Sequence, residues 1–175
     1  NETFSSIGSL ETVELISNKI KLCEKCFYNS FNSDYNIYKR QPNLIKISSE
    51  SEIEIENNCF EKSNLVQVEI KGRRVILKKE IFNNCSSLQS ITFSQSTEII
   101  INELTFNNCS KLNTFTLDQV GYIEFKSQVF AGCNQLKSIS ISKLPEYNSL
   151  NSFEIKTHPQ HIKTNESFVI KNKET

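Results

Sequence analysis

Methionine and tryptophan are absent from the 175 residues, histidine occurs twice, and there are only 4 glycines and 3 prolines. Without any methionine, the chain is expected to begin after processing or within a longer protein. So few glycines disfavour the loops that cradle phosphates, and neither a Walker-type loop nor G-x-G-x-x-G occurs. No apolar run approaches the roughly 18 residues of a membrane-spanning helix, and no hydrophobic N-terminal signal segment is seen. An excess of either charge is also missing: 20 Lys and Arg balance 20 Asp and Glu. That balance gives no electrostatic basis for nucleic acid or an anionic membrane as the main partner. No Ser/His/Asp arrangement or paired-carboxylate site stands out. The expectation is no catalytic, cofactor-binding or metal-binding residue, and no enzyme.

What is present is one phrase written three times: "FNNCSSL" from Phe82, "FNNCSKL" from Phe106 and "FAGCNQL" from Phe130. Aligned, the copies give F-x-x-C-x-x-L-x-x-I-x-I: Phe82, Cys85, Leu88, Ile91, Phe93; Phe106, Cys109, Leu112, Phe115, Leu117; Phe130, Cys133, Leu136, Ile139, Ile141. Weaker copies flank them. Phe4, Ile7, Leu10, Val13 and Leu15 lie upstream; Leu144, Tyr147, Leu150, Phe153 and Ile155 lie downstream. With Ile7 and Tyr147 in the cysteine slot, the slot reads as asking for hydrophobicity rather than sulfur. Two alternating apolar residues precede each phenylalanine: Ile20 and Leu22, Ile53 and Ile55, Val75 and Leu77, Ile99 and Ile101, Ile123 and Phe125. Period-two alternation rich in β-branched residues predicts a short strand. No stretch carries a sustained 3.6-residue stripe, so long helices are not expected. Each unit is therefore strand, turn, strand, and such units bury their apolar side only by stacking on one another.

The phrase resembles the BspA-like, Treponema-type class of leucine-rich repeat. The resemblance implies a mainly β, right-handed solenoid with a parallel sheet, in about seven units of 21–24 residues with one insertion and one shortened unit. The solenoid is expected over 1–156, with the insertion within 28–43. Residues 157–175 resemble a hairpin-like segment that interrupts such arrays, as though cut from a longer one. The family implies surface or secreted proteins of bacteria or protists that adhere to host proteins or cells.

Cys85, Cys109 and Cys133 should stack as a column. Packing is one reading and a disulfide the other. A spacing near 4.8 Å would permit a disulfide, but side chains in a parallel ladder point the same way rather than at each other. Cys23 and Cys26 form the one C-x-x-C. Zinc lacks further ligands, and thioredoxin-like redox chemistry lacks its βαβ setting. Cys26 is expected to be buried and Cys23 to face outward, with a Cys23–Cys59 bridge as a conjecture. His158 and His161 read as loop residues. Lys71, Arg73, Arg74, Lys78 and Lys79 read as a solvated edge that deters sheet pairing, ahead of an anion site. Asn1, Asn84, Asn108 and Asn165 stand in glycosylation sequons, although Asn84 and Asn108 also suit the turn itself.

With Leu, Ile and Ile inward, the residues between them face solvent in two columns. One runs Thr12, Lys46, Gln67, Ser90, Thr114, Ser138, Ser152; the next runs Glu14, Ser48, Glu69, Thr92, Thr116, Ser140, Glu154. Their centre is a patch of small hydroxyls: Ser90, Thr92, Thr114, Thr116, Ser138 and Ser140. Such a patch suits a protein or glycan ligand, or merely strengthens the sheet through cross-strand hydroxyl pairs. Two functions stay open: an extracellular or cell-surface adhesion module, and a structural assembly unit of a larger, cytoplasmic complex.

Overall fold

The computed structural model describes residues 3–7, 11–31, 43–143, 154–157 and 169–172 of the chain. Within them every regular element is a strand, and every strand pair is parallel. β1 (Thr12–Leu22), β2 (Leu44–Ile55) and β3 (Gln67–Leu77) are long strands whose register shifts midway at β1/β2 and β2/β3. Downstream the same corner splits the strand, giving β4 (Ser90–Ser96) with β5 (Glu98–Ile101) and β6 (Thr114–Val120) with β7 (Tyr122–Phe125). β8 (Ser138–Lys143), β9 (Glu154–Thr157) and β10 (Val169–Asn172) follow. Two ladders result. The first passes through β1, β2, β3, β4, β6, β8 and β10, and the second through β1, β2, β3, β5, β7 and β9.

The corner follows from local chemistry. Gln95 (φ 54°) and Gln119 (φ 56°) take left-handed backbone there, a conformation costing roughly 1–2 kcal/mol for an L-residue. Hydrogen bonds between coils offset that strain. The buried hydroxyls of Ser49 and Ser96 donate to the carbonyls of Asn18 (2.7 Å) and Gly72 (2.6 Å) in the preceding coil. A Cβ at Gly72 would stand 2.7 Å from Ile53 Cδ1, so a larger residue at this corner needs the Ile53 side chain to shift.

The turns that carry the repeated phrase are as regular as the strands. Two residues before each phenylalanine, Lys25, Asn58, Glu80, Leu104 and Gln128 are left-handed; two residues after it, Ser6, Asn29, Lys62, Asn84, Asn108 and Gly132 are too. Asparagine and glycine tolerate this region best, which is why the phrase reads "NN" twice and "AG" once. Each phenylalanine N–H then donates to the next coil: Phe60 to Ile81, Phe82 to Thr105 and Phe106 to Val129, at 2.8–2.9 Å. The rings pile into one column, Phe4, Phe27, Phe60, Phe82, Phe106 and Phe130, with successive centroids 5.0–5.6 Å apart and planes within 13°. Phe115 meets Phe106 and Phe130 edge-on at 5.8 and 5.3 Å. Full burial of each ring contributes about 1.5–3 kcal/mol, and such ring pairs add about 0.5–1.5 kcal/mol.

Three expectations need correction. In the second unit Ile45 and Ile47 point inward and Leu44 outward, so Lys46 pairs with Glu14 and Glu69, two residues from the expected register. The insertion obscured that register; its described ends are tied by Asn43 Nδ2, which donates to the Phe31 carbonyl at 3.0 Å. Second, Glu154 pairs with Tyr122 in the second ladder, not with the first-ladder columns. The place beside Ser140 belongs to Lys171, and β10 runs parallel to β8 as another rung of the stack. Third, β3 is an interior strand, flanked by β2 on one side and by β4 and β5 on the other, so its basic residues guard no edge.

Candidate functional site

The six hydroxyl residues stand side by side on the first ladder. Ser90 pairs with Thr114, Thr92 with Thr116, and Thr116 with Ser140, while Ser138 stands one residue before the Phe115–Ile139 pair. Inward neighbours Ile91, Phe93, Phe115, Leu117, Ile139 and Ile141 are buried, so the alternating residues must face out. Thr114 is exposed and the other five are half-buried. Only Thr114 uses its hydroxyl within the described residues, donating to Asn113 Oδ1 at 2.8 Å. The hydroxyls of Ser90, Thr92, Thr116, Ser138 and Ser140 make no hydrogen bond with described residues, so they do not form the cross-strand pairs of a purely structural ladder. The patch is bounded on one side by Gln67 and the Lys46–Glu69 ion pair (3.2 Å).

The outward face of the second ladder is different. Lys19, Glu52, Arg74 and Glu98 form a chain of alternating charges linked at 2.9, 2.8 and 2.6 Å. Beside it, Lys21 holds Glu54 (3.0 Å) and Glu56 (2.8 Å), and Lys78 holds Glu54 (3.1 Å). Hydrogen bonds from Lys19 and Arg74 hold the Glu52 carboxyl below its ordinary range, and those from Lys21 and Lys78 do the same for Glu54. The anticipated basic cluster is therefore largely neutralised: Arg74 and Lys78 are paired here, and Lys79 pairs with Glu103 at 2.6 Å. Lys71 and Arg73 are exposed and make no ion pair among the described residues. This charge chain escaped the sequence reading, although the outward positions between alternating apolar residues carried its signal.

Cys85, Cys109 and Cys133 are buried free thiols. Each donates its S–H to the carbonyl of the phenylalanine one coil back: Cys85 to Phe60 (3.0 Å), Cys109 to Phe82 (3.1 Å) and Cys133 to Phe106 (3.0 Å). Those carbonyls already accept the N–H three residues on within their own turn, so the thiol occupies the second lone pair. Ser63 fills the same slot and donates to the Phe27 carbonyl at 2.7 Å, and Ser30 donates to the Phe4 carbonyl. In the five described coils that have a coil before them the slot therefore holds a small donor, a role the hydrophobic reading did not include, while Ile7 in the first described coil keeps the slot apolar; Tyr147 lies outside the described residues. Burial pushes the Cys85 thiol up to about 12 and raises that of Cys109 as well, which leaves them poor nucleophiles.

Cys26 is buried and Cys23 exposed. No group of His, Cys, Asp or Glu among the described residues is arranged to hold a metal. His158, His161, Asn1 and Asn165 lie outside the described residues. Asn84 and Asn108 sit at left-handed positions, and Asn108 Nδ2, the nitrogen a glycan would need, donates to Asn84 Oδ1 at 3.1 Å. No helix of the described residues is long and apolar enough to cross a membrane.

No curated protein and no solved structure matches the chain. A family model described as the BspA-type leucine-rich-repeat region matches residues 53–173 in 6 copies. Leucine-rich repeats of this kind serve in general as recognition or adhesion modules, are generally not enzymes, and typically belong to surface or secreted proteins. The match spans well over half of the chain and falls on the stacked parallel coils, so the chain belongs to the BspA-type leucine-rich-repeat family.

Proposed function

We propose that the hydroxyl-lined face of the first ladder is the contact surface of a non-enzymatic recognition or adhesion module for a protein or glycan ligand, borne at the cell surface or secreted. The observation that carries this reading is the contrast between the two outward faces. The second ladder consumes its charges internally, whereas five of six central hydroxyls on the first ladder keep their donors and acceptors for a partner. A flat, uncharged surface of this kind suits hydrogen-bonded recognition more than electrostatic capture. Replacing Thr92, Thr116 and Ser140 together with lysine is expected to abolish binding to glycan and extracellular-protein arrays while the melting temperature stays within a few degrees. Unchanged binding by a folded variant moves the site to the insertion or the second-ladder face.

A second reading, as an assembly unit of a larger and intracellular stack, is favoured by Ile16 on β1, which is 73% exposed, and by Phe4, which is 40% exposed. It predicts concentration-dependent self-association in sedimentation, which the adhesion reading does not require. Glycan occupancy at Asn84 and Asn108, read by intact mass of native material, separates the two compartments.

A further inference from the structure

Cys23 stands where the other coils place a charged or amide side chain. The residues after Leu22, Ile55, Leu77, Ile101 and Phe125 are Cys23, Glu56, Lys78, Asn102 and Lys126, and each of the last four donates its N–H to the coil before it. A thiol is thus presented to solvent at a position the stack otherwise keeps hydrophilic. Three residues on, the Cys26 N–H donates to the Cys23 carbonyl at 3.3 Å, with Lys25 left-handed between them (φ 54°). A hydrogen-bonded four-residue turn brings its first and last Cα within about 7 Å, and disulfides span Cα separations of about 4.4–6.8 Å. The turn therefore brings the two cysteines to about the outer limit of disulfide reach.

Cys59 is the competing partner, and the stacking argues against it. The Phe27 N–H donates to the Cys59 carbonyl at 2.8 Å, which sets Cys26 and Cys59 at equivalent positions of adjacent coils with side chains running alongside each other. Cys59 is fully buried, while Cys26 keeps 8% of its surface exposed.

We propose that Cys23 and Cys26 form a thiol–disulfide exchange site that accepts a low-molecular-weight disulfide such as oxidised glutathione and closes into an intra-turn disulfide. The Cys23 thiolate attacks one sulfur of oxidised glutathione, forming a mixed disulfide and releasing one glutathione thiolate. Cys26 then gives its proton to water and attacks the Cys23 sulfur, expelling the second glutathione. The two cysteines lose two electrons, and one glutathione disulfide becomes two thiols. Burial, and then the neighbouring Cys23, raise the Cys26 thiol above its ordinary value, which assigns first attack to the exposed Cys23 and resolution to Cys26. This is a modification site on a binding scaffold and needs no βαβ redox fold.

Trypsin cuts after Lys21, Lys25, Lys39, Lys46 and Lys62, which places the three cysteines on separate peptides, 22–25, 26–39 and 47–62. The reduced full chain is incubated with oxidised glutathione, alkylated, digested and read by mass spectrometry. The expected product links 22–25 to 26–39. Cys26→Thr, with Thr105 as precedent for the slot, is expected to stop with glutathione on Cys23, and Cys59→Val is expected to leave the link unchanged. A link from 22–25 to 47–62, a lasting glutathione adduct on the unaltered chain, or a Cys23 that never reacts overturns the proposal. Should Cys26→Thr fold poorly, Cys23→Ser at its exposed position tests the order of attack: buried Cys26 is expected to take up no glutathione in that variant, and a glutathione adduct on Cys26 overturns the proposal.

Discussion

Phe4 and Phe106 stand in one column of rings, yet their surroundings differ. Among the described residues Phe4 stacks on Phe27 alone, at 5.0 Å, and it keeps 40% of its surface exposed. Phe106 is fully buried between Phe82 and Phe130, with Phe115 set edge-on against it. The strands repeat the contrast. Val13, Leu15 and Leu22 of β1 are only partly buried, whereas Ile91, Phe93, Phe115 and Leu117 of β4 and β6 are completely so. In a stacked array the value of an apolar slot is set by the coils on both sides of it. The same letter therefore carries different stability in the first described coil and in the middle.

The largest test of that contrast is a matched pair of truncations. Phe106→Ala is expected to cost about 3–5 kcal/mol, as for other buried aromatic residues replaced by alanine. Phe4→Ala should cost about 1 kcal/mol, since its ring is only partly removed from water. Urea denaturation of both variants reads the difference, and equal losses would mean that the end of the stack is as tightly covered as its centre.

The donor slot gives a smaller test within the central coils. Cys109→Ala removes the S–H bond to the Phe82 carbonyl and a little volume, for an expected loss of about 1 kcal/mol. Cys109→Ser should cost less than the alanine change, because Ser63 already makes this bond from the same slot. An alanine variant as stable as the serine one would show that the slot is filled for volume alone.

Much of this architecture was legible in the letters. Period-two alternation placed the strands of the three central coils, and the 24-residue spacing of Phe82, Phe106 and Phe130 placed the ring column. The hydroxyl patch followed from the same alternation and lies where expected between β4, β6 and β8. What escaped notice depends on contacts between coils. Ser30 and Ser63 do not look like cysteine, and only the carbonyl lying one coil away reveals that the three share a role. The register of β2 was misjudged by two residues because Leu44 resembles the leucine slot, although Ile45 and Ile47 are the residues that reach the core. β9 was misjudged because Phe153 and Ile155 copy the spacing of first-ladder strands, while pairing puts Ile155 against Ile123.

The first described coil has a thinner core and is tied to the next by charge, and this yields the smallest effect and the most selective one. Lys19 and Lys21 of β1 reach Glu52, Glu54 and Glu56 on the next coil, whereas β4 and β6 are held to each other by apolar packing and backbone bonds. The Glu52 and Glu54 carboxyls lie below their ordinary 4.5 because cations face them. Their contribution is therefore fully present above that value and is lost as pH falls through the depressed folded-state range. Lys21 is raised above its ordinary 10.5 by Glu56 and Glu54, so its contribution is complete below 10.5 and fades only as pH rises beyond it. At neutral pH both halves of each pair are charged, and salt is the gentler probe. Raising ionic strength from about 0.15 M to about 1 M shortens the screening length from about 8 Å to about 3 Å. Amide hydrogen exchange in β1 should then quicken modestly, while that in β4 and β6 stays unchanged. In Glu52→Gln the salt response of β1 should shrink, because one link of the chain is already uncharged. Equal salt responses in β1 and β6 would mean that the charges decorate the first coil without holding it.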